Sequence, residues 1–491
     1  MTRWAKLSYA YAALVALGVG YFLYDLPIQV TDCYGNMVKA AQGTLASLVT
    51  GEFHQVAYLR PLGWAQLRIL MDASRGHYYE WFRGWHVVQI VVLVVLFLRL
   101  VRPRTLAGAA VVPLGLAALI GIHTFAGTVR ESFPVNMFLM VLICSFAAAD
   151  LALGPPRPAS TKSAFARGDA KRFGGLWRDE VGWRDVAAAL IFVFAVFSVE
   201  SGILVAVVFW SAFLVGARGV SRIGVAAQVL LVIGYLVLRF SILHIGSPGL
   251  EERTAGYGFS RLETNQLIEK FGARPLPFYA YNVASSVLSI AFSEPREGMW
   301  VATRDYLRGE TRLYQVVNFI ASVLGSALIL RYIWRRRREW IALRFNRSDQ
   351  LVFIFLGVMA ANATVSYAYT KDSILSLAGA FFAVALAVAT QDFIESMSGL
   401  TPVRAIVPTL LLVVLSTAWS FRAIDAHMGL RVAAAKMRVE WAYVDSWLER
   451  NSDAPRDPAA LALKQHLQDD AVRHHPLRPT LKGVWVERLS D

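Results

Sequence analysis

Residues 86–104 read His-Val-Val-Gln-Ile-Val-Val-Leu-Val-Val-Leu-Phe-Leu-Arg-Leu-Val-Arg-Pro-Arg. The run from 86 to 102 is nearly long enough to cross the hydrocarbon of a bilayer as a helix, and it ends in a knot of arginines. Working outward, ten further runs of the same kind stand at roughly 7–25, 105–123, 135–153, 186–199, 203–217, 223–246, 313–334, 350–369, 373–391 and 404–421. The chain of 491 residues is 56% hydrophobic and 17% charged, with mean hydropathy +0.46. A soluble domain carries about 25% charged residues, so a soluble multidomain enzyme and a disordered chain are both excluded. The reading is an all-α polytopic membrane protein of about eleven transmembrane helices, with helical outer loops and a helical C-terminal tail. The aromatic content of 12%, with 14 Trp, suits two water–lipid boundaries.

The net charge of +14 would point to nucleic acid in a soluble protein. Here the basic residues cluster beside apolar runs, so the charge sets topology and no nucleic-acid partner is expected. Segment 154–185 holds Arg157, Lys162, Arg167, Lys171, Arg172, Arg178 and Arg184, and the eighth run ends in Arg335-Arg336-Arg337-Arg338. Arg99, Arg102, Arg104, Arg218 and Arg222 mark other basic ends. With the N-terminus inside, eleven spans put all of them in the cytoplasm. The first run follows Arg3 and Lys6, ends in bulky Tyr21-Phe-Leu-Tyr24 and has no small-residue cleavage site, so it reads as an uncleaved anchor.

Parity decides two short segments. Residues 186–217 must be a tight two-helix hairpin, and 278–292, which begins Phe-Tyr-Ala-Tyr-Asn, must be interfacial or re-entrant. Either one miscounted would carry the four-arginine run outside. The sizeable non-membrane parts are then an outer loop 26–85, a second outer loop 246–312 with interfacial helices, and a helical tail 422–491. They frame transmembrane modules at 1–245 and 313–421. The cytoplasmic side has only short connectors and no GxxxxGK[ST] phosphate loop, so any chemistry belongs outside, near the lipid. This is the layout of an integral protein of a bacterial inner membrane, with its C-terminus in the periplasm. In the tail, Met437, Trp441, Val444 and Leu448 form an apolar stripe at helical spacing, and Asp457-Pro458 reads as a helix start. Cys33 is expected in a loop and Cys144 in an apolar segment, so no disulfide framework is expected.

Several residues could carry chemistry. Asp32 lies just past the first run, ahead of a helix-like segment to about Val49. There it could take a proton from an acceptor hydroxyl beside a lipid-linked donor, or simply cap a helix. Asp25 is a weaker rival that marks the end of the span. Glu52, His54 and Arg60 stand within nine residues on the outer face. Arg is suited to phosphate because its planar fork donates two hydrogen bonds, although a rim arginine on a solvated loop reads the same way. His54 and Glu52 have no further His or Asp at ligand spacing, so no metal site is expected and a divalent cation has no support in the residues. Glu200 sits in a hairpin between runs too short to surface comfortably, which submerges an acid. Arg239 lies in the outer third of the seventh run and faces a carboxylate or an anionic head group; it could simply pair with Glu200. His123, Arg130 and Glu131 fall in the loop between the third and fourth spans, on the side of Asp32. His474-His475 reads as solvated.

Taken in order, these elements resemble the GT-C superfamily of integral-membrane glycosyltransferases, especially bacterial relatives of the protein O-mannosyltransferases. The resemblance rests on Asp32 with Tyr34 after the first span, on Tyr58-Leu-Arg60-Pro61-Leu62 ahead of the second, on Val199-Glu200-Ser-Gly at the middle hairpin, and on Tyr235-Leu-Val-Leu-Arg239 before the long outer loop. It covers about 8–245. It departs from the family where an Asp-Asp or Asp-Glu pair is here Asp32 followed by Cys33, and where the Lys before the hairpin Glu is Val199. The resemblance implies inverting transfer of a sugar from a polyprenyl-phosphate donor to a glycan, lipid or protein acceptor outside the membrane. It makes Asp32 the general base and Arg60 and Arg239 the phosphate binders. Glu200, His54, Glu52 and Arg130 are, from their own placement in the sequence, the further candidates for substrate binding. Competing readings are a transporter or flippase of an anionic lipid, an O-antigen polymerase or ligase (Arg261 and Gly272 show a suitable spacing), and a scaffold. The absence of an internal repeat disfavours the transporter.

Overall fold

The computed structural model describes residues 2–26, 31–54, 58–130, 135–154, 181–217, 219–246, 255–258, 260–292, 298–368, 372–397, 402–439 and 458–474. The helices are, in order, α1 Arg3–Tyr24, α2 Thr31–Gln42, α3 Leu45–Gly51, α4 Pro61–Ser74, α5 Tyr78–Val101, α6 Leu106–Ala110, α7 Val112–Gly121, α8 His123–Arg130, α9 Met137–Leu153, α10 Trp183–Ser198, α11 Leu204–Leu214 and α12 Arg222–Leu236. After a short hairpin of β1 Ala255–Tyr257 and β2 Ser260–Leu262 come α13 Thr264–Phe271, α14 Leu276–Phe292, α15 Gly298–Arg308, α16 Leu313–Ile341, α17 Arg347–Val365, α18 Asp372–Met397, α19 Pro402–Val439 and α20 Pro458–His474. The protein is an all-helical polytopic bundle apart from that antiparallel hairpin, which turns at Gly258 with φ +60°.

Among the described residues seven helices are long and apolar enough to cross a membrane: α1, α5, α12 extended through Ile242, α16, α17, α18 and residues 406–431 of α19. Helices α6 to α8 meet the same test together as a span bent by 56°. The bend falls at Ile122, whose extended backbone ends α7 after Gly121. His123 to Arg130 are therefore helical, not a loop. The eleven apolar runs each centre on a helix, but α9, α10 and α11 have only 17, 16 and 11 residues. The expected hairpin at 186–217 is real. Val199 breaks the helix with an extended backbone (φ −159°, ψ 148°), and a 3-10 turn, Glu200–Ile203, starts the return.

Helix α18 is the axis of the bundle, and 94% of its apolar window is enclosed by protein. Lipid tails are as apolar as Leu, so membrane helices associate through close packing at small residues. The sequence supplies them in Ala378-Gly-Ala, Ala383, Ala385, Ala387 and Ala389, all buried. The partners also use small residues: a Cβ on Gly115 of α7 would stand 3.1 Å from the Cβ of Ala387 and 2.6 Å from the Phe97 ring.

Segment 278–292 falls in α14, which packs with α15 along α16. The Ser326 hydroxyl of α16 donates to the Ala291 carbonyl at the far end of α14. Asp305, on the return helix α15, accepts from Gln315 at 2.6 Å. Ser326 and Gln315 are separated by roughly 16 Å of helix axis, so α14 descends along α16 and α15 climbs back.

The two ends of the bundle differ in charge. At one end Arg99 and Arg347 both engage Asp150, Arg336 engages Asp349, and Arg331 and Arg335 engage Asp392. The loop ends at Gly154 and Gly219 lie at this end too, since the Gly219 amide donates to the Ala152 carbonyl. Most of the basic segment 154–185 lies outside the described residues. At the other end α2, α3 and α4 form a small polar-capped layer. Tyr34, Met37, Leu67, Met71 and Tyr79 share its apolar core with Ala460, Leu463 and Leu467 of α20. The Tyr34 hydroxyl donates to the Ala460 carbonyl at 2.7 Å. The tail helix starts at Pro458 as expected, and it docks on the layer formed by the first outer loop. The side chains of the expected stripe from Met437 to Leu448, and His475, are outside the described residues.

Two local expectations are corrected. The segment from Asp32 to Val49 is two helices, because Thr44 ends the first at Gly43 and opens the second through a capping box with Ser47. Cys33 lies within α2 instead of a loop, while Cys144 is a buried free thiol on α9.

Candidate functional site

The site begins with the hairpin that carries Glu200. Gly202 lies so close to the Ala195 carbonyl of α10 that any side chain there would collide with backbone. That glycine lets the turn close and sets Glu200 at its tip. Across from it stands α4, brought near by Gly63, where a Cβ would meet the Met137 sulfur at 2.6 Å and the Ser198 carbonyl at 3.0 Å. Gln66 of α4 donates to the Ser198 hydroxyl at 3.2 Å. Pro61 at the first helical position fixes the start of α4, and Arg60 is its N-cap residue.

Arg60 grips Glu200 with three hydrogen bonds. Nε donates to Oε2 and Oε1 at 3.0 and 3.2 Å, and Nη2 donates to Oε2 at 2.8 Å. Burial alone would draw the Arg60 guanidinium down, but the charge of Glu200 and its hydrogen bonds outweigh that and hold it above its ordinary value. The Tyr58 ring lies 4.3 Å from the guanidinium, and the Arg60 amide donates to Glu52 Oε2 at 3.0 Å. Glu52 belongs to a 3-10 turn, Glu52–His54, and is almost fully buried, so it is not on a solvated loop. Lys39 of α2 reaches it at 3.6 Å and lies over the Trp64 ring at 4.3 Å.

Arg239 approaches Glu200 from the lipid side. It stands on a π-turn, Val237–Ile242, that continues α12. Such turns recur at functional sites because the wider coil re-aims one side chain. Its Nη1 lies 3.9 Å from Glu200 Oε1 and donates to the Tyr235 hydroxyl at 3.1 Å. Its Nε is buried without a hydrogen-bond partner. The flanking Val237, Phe240 and Ile242 are exposed apolar residues. The cluster therefore combines Lys39, Arg60 and Arg239 with Glu52 and Glu200, one positive charge in excess, beside a lipid-facing helix.

Of the sequence candidates, the structure brings Glu52, Arg60, Glu200 and Arg239 together. His54 is exposed at the end of its turn and takes no part in this network among the described residues. Asp32 is the second residue of α2, two turns before Lys39, and its side chain is outside the described residues. The Arg130 side chain is likewise outside them, as is Glu131. The exit of α1 towards Asp32 is tied down by two residues the sequence reading overlooked. Arg83, fully buried on α5, donates to the Leu26 carbonyl at 3.0 Å, and the Tyr79 hydroxyl donates to the Tyr24 carbonyl. An ionisable residue at the edge of a spanning run was the available signal for Arg83. Asp25 caps the end of α1 and pairs with Arg431 of α19 at 3.0 Å. His123 lies away from the cluster, with Ser289 Oγ at 3.1 Å and Asp372 at 3.6 Å from its Nε2.

Among the described residues no group of three or more His, Cys, Asp or Glu stands close enough to hold a metal ion. No family, no curated protein and no solved structure matches the chain.

Proposed function

We propose that this protein is a membrane glycosyltransferase that moves a sugar from a polyprenyl-phosphate donor to a glycan, lipid or protein acceptor on the outer side of a bacterial inner membrane. The observation that carries the reading is the convergence of Arg60 and Arg239 on Glu200 beside a lipid-facing helix. A lipid-linked donor keeps its phosphate at the membrane boundary, where an arginine with a free donor group can receive it. In this reading Arg239 is the phosphate binder and its Nε is that free donor. Glu200 is a positioning residue: its carboxylate holds two guanidinium groups that would otherwise repel one another.

The acceptor hydroxyl loses its proton to Asp32 as its oxygen attacks the anomeric carbon. The bond from that carbon to the phosphate oxygen breaks, and the polyprenyl phosphate leaves with the extra negative charge, which Arg239 stabilises as it develops. The sugar inverts. Support for Asp32 comes from the GT-C-like order of motifs and from its place on the helix whose Lys39 joins the Glu52–Arg60 network.

The topology that goes with this has eleven spans, with the N-terminus in the cytoplasm and the C-terminus in the periplasm. Docking of α20 on α2 supports an odd number of crossings, because the tail then shares a side with the loop after α1. The basic end of the bundle is the cytoplasmic one by the positive-inside rule.

The decisive experiment is to supply purified protein with a polyprenyl-phosphate sugar and an acceptor extract and to measure release of polyprenyl phosphate. A transporter or flippase would move the donor without releasing it, and that result overturns the reading.

A further inference from the structure

At the basic end of the bundle, far from Glu200, a cavity of about 640 Å³ opens between α1, the end of α5 and Asp150 of α9. Its polar wall is Arg99, Arg102, Arg104 and Asp150, and its apolar wall includes Ala5 and Leu98. Among the described residues Asp150 is the one carboxylate in that wall, and it is already engaged. Arg99 donates to it at 2.9 and 2.6 Å, and Arg347 stands 3.8 Å from it on the other side. Arg347 keeps a buried Nε with no hydrogen-bond partner. Arg102 has its Nη2 on the Gly154 carbonyl at 3.0 Å, and Arg104 is exposed; no carboxylate lies within ion-pair distance of either among the described residues.

The backbone of Arg102 is unusual as well. It caps α5 in the left-handed region, with φ 54° and ψ 68°, a position normally given to glycine. Arg102 is half-buried beside Arg104 and Arg99, so it bears a desolvation cost and like-charge repulsion, and Asp150 is already held by Arg99 and Arg347. An anion in the cavity would relieve both costs.

We propose that this cavity binds a phosphate-bearing anion, with Arg102 and Arg104 as the phosphate ligands. The ligand class is a phosphodiester or phosphomonoester, from a lipid head group of the adjacent leaflet or from a soluble phosphate. The apolar floor at Ala5 and Leu98 fits the start of an acyl or prenyl chain, and Tyr9 of α1 borders it. Positive ends of membrane helices attract anionic lipid in general. Here three arginines line one open recess, and the acid among its described residues is already occupied.

The test is native mass spectrometry of the full chain in detergent micelles. The probes are phosphatidylglycerol, phosphatidylcholine as the zwitterionic control, and inorganic phosphate as the soluble arm. Phosphatidylglycerol should bind about 10-fold or more tightly than phosphatidylcholine, and R102Q/R104Q should abolish the difference. R338Q, at the same end of the bundle but outside the cavity, should leave it intact. If inorganic phosphate binds with the same dependence on Arg102 and Arg104 and displaces the lipid, the site stands with a soluble phosphate as its ligand. If the double variant keeps the lipid preference, or R338Q weakens it equally, or the wild type shows neither lipid preference nor phosphate binding, the proposal is overturned. Should R102Q/R104Q not fold, exposed Arg104 alone serves, with R104Q expected to lower the preference about 3-fold or more; no change in R104Q then overturns it.

Discussion

Arg60 and Glu200 stand 140 residues apart in the chain and meet through three hydrogen bonds, the shortest 2.8 Å. The pair joins the first outer loop to the middle hairpin, and it leaves Arg239 with only a 3.9 Å approach to the same carboxylate. One guanidinium is thus held closely by the carboxylate and the other loosely.

Glu200→Gln should therefore weaken the fold as well as activity. Breaking a buried pair from one side costs about 3–5 kcal/mol. These side chains keep 27% and 20% exposure, so about 2 kcal/mol is expected after solvent screening. Thermal unfolding in detergent measures it. Arg60→Lys keeps the charge but loses the fork, so it should weaken the fold less than Glu200→Gln. An unchanged melting temperature for Glu200→Gln would show that the pair contributes nothing to stability.

Arg239→Ala should leave stability closer to wild type and damage donor use instead, about 10-fold or more, because it removes a charge-assisted contact to phosphate. Transfer measured against donor concentration separates the two effects. If Glu200→Gln and Arg239→Ala prove strictly additive, the 3.9 Å approach carries no coupling. Undiminished transfer in Arg239→Ala would remove it from the phosphate site.

Asp32→Asn should cut turnover by about 10²–10⁴-fold, the usual worth of a general base. Asn keeps the size and helix-end compatibility of Asp, so protein yield and donor binding should stay near normal. Near wild-type transfer would move the base to another carboxylate, with Asp25 and Glu52 the next candidates. Failure to fold would make Asp32 a structural residue.

A reporter enzyme fused after Asp491 should be active only on the outer side of the membrane, and one placed within 155–180 only in the cytoplasm. Cytoplasmic activity of the C-terminal fusion would break the eleven-span layout.

Much of the fold is legible in the sequence. The period and length of the apolar runs located the helices, and the two short runs at 186–217 did make a hairpin with Glu200 at its tip. What the sequence could not reveal was pairing over distance. Glu200 and Arg239 were natural partners by neighbourhood, yet the closer partner is Arg60, because Gly63 brings α4 against α9 and α10. Lys39 was an outward positive residue of the same kind as Arg60, and it went unread for want of a visible partner. The break at Gly43-Thr44 does carry a local signal, a glycine at a helix end followed by an N-cap threonine, whereas the bend at Ile122 falls in an apolar run with only Gly121 before it. The buried meeting of His123, Ser289 and Asp372 depends on three separate elements, and no spacing along the chain encodes it.

The enclosure of α18 also constrains the order of assembly. The helix is made after all but one of the long spans, yet it fills the space between helices made far earlier, among them α5, α7, α8 and α9. Until the ribosome has passed Met397, those early helices have no axis to close upon, and their inward faces must be covered by lipid or by one another in a provisional arrangement. A chain stopped before Asp372 should remain open to protease and crosslinkers along the inward faces of α7 and α8, and supplying α18 and α19 as a separate fragment should close them.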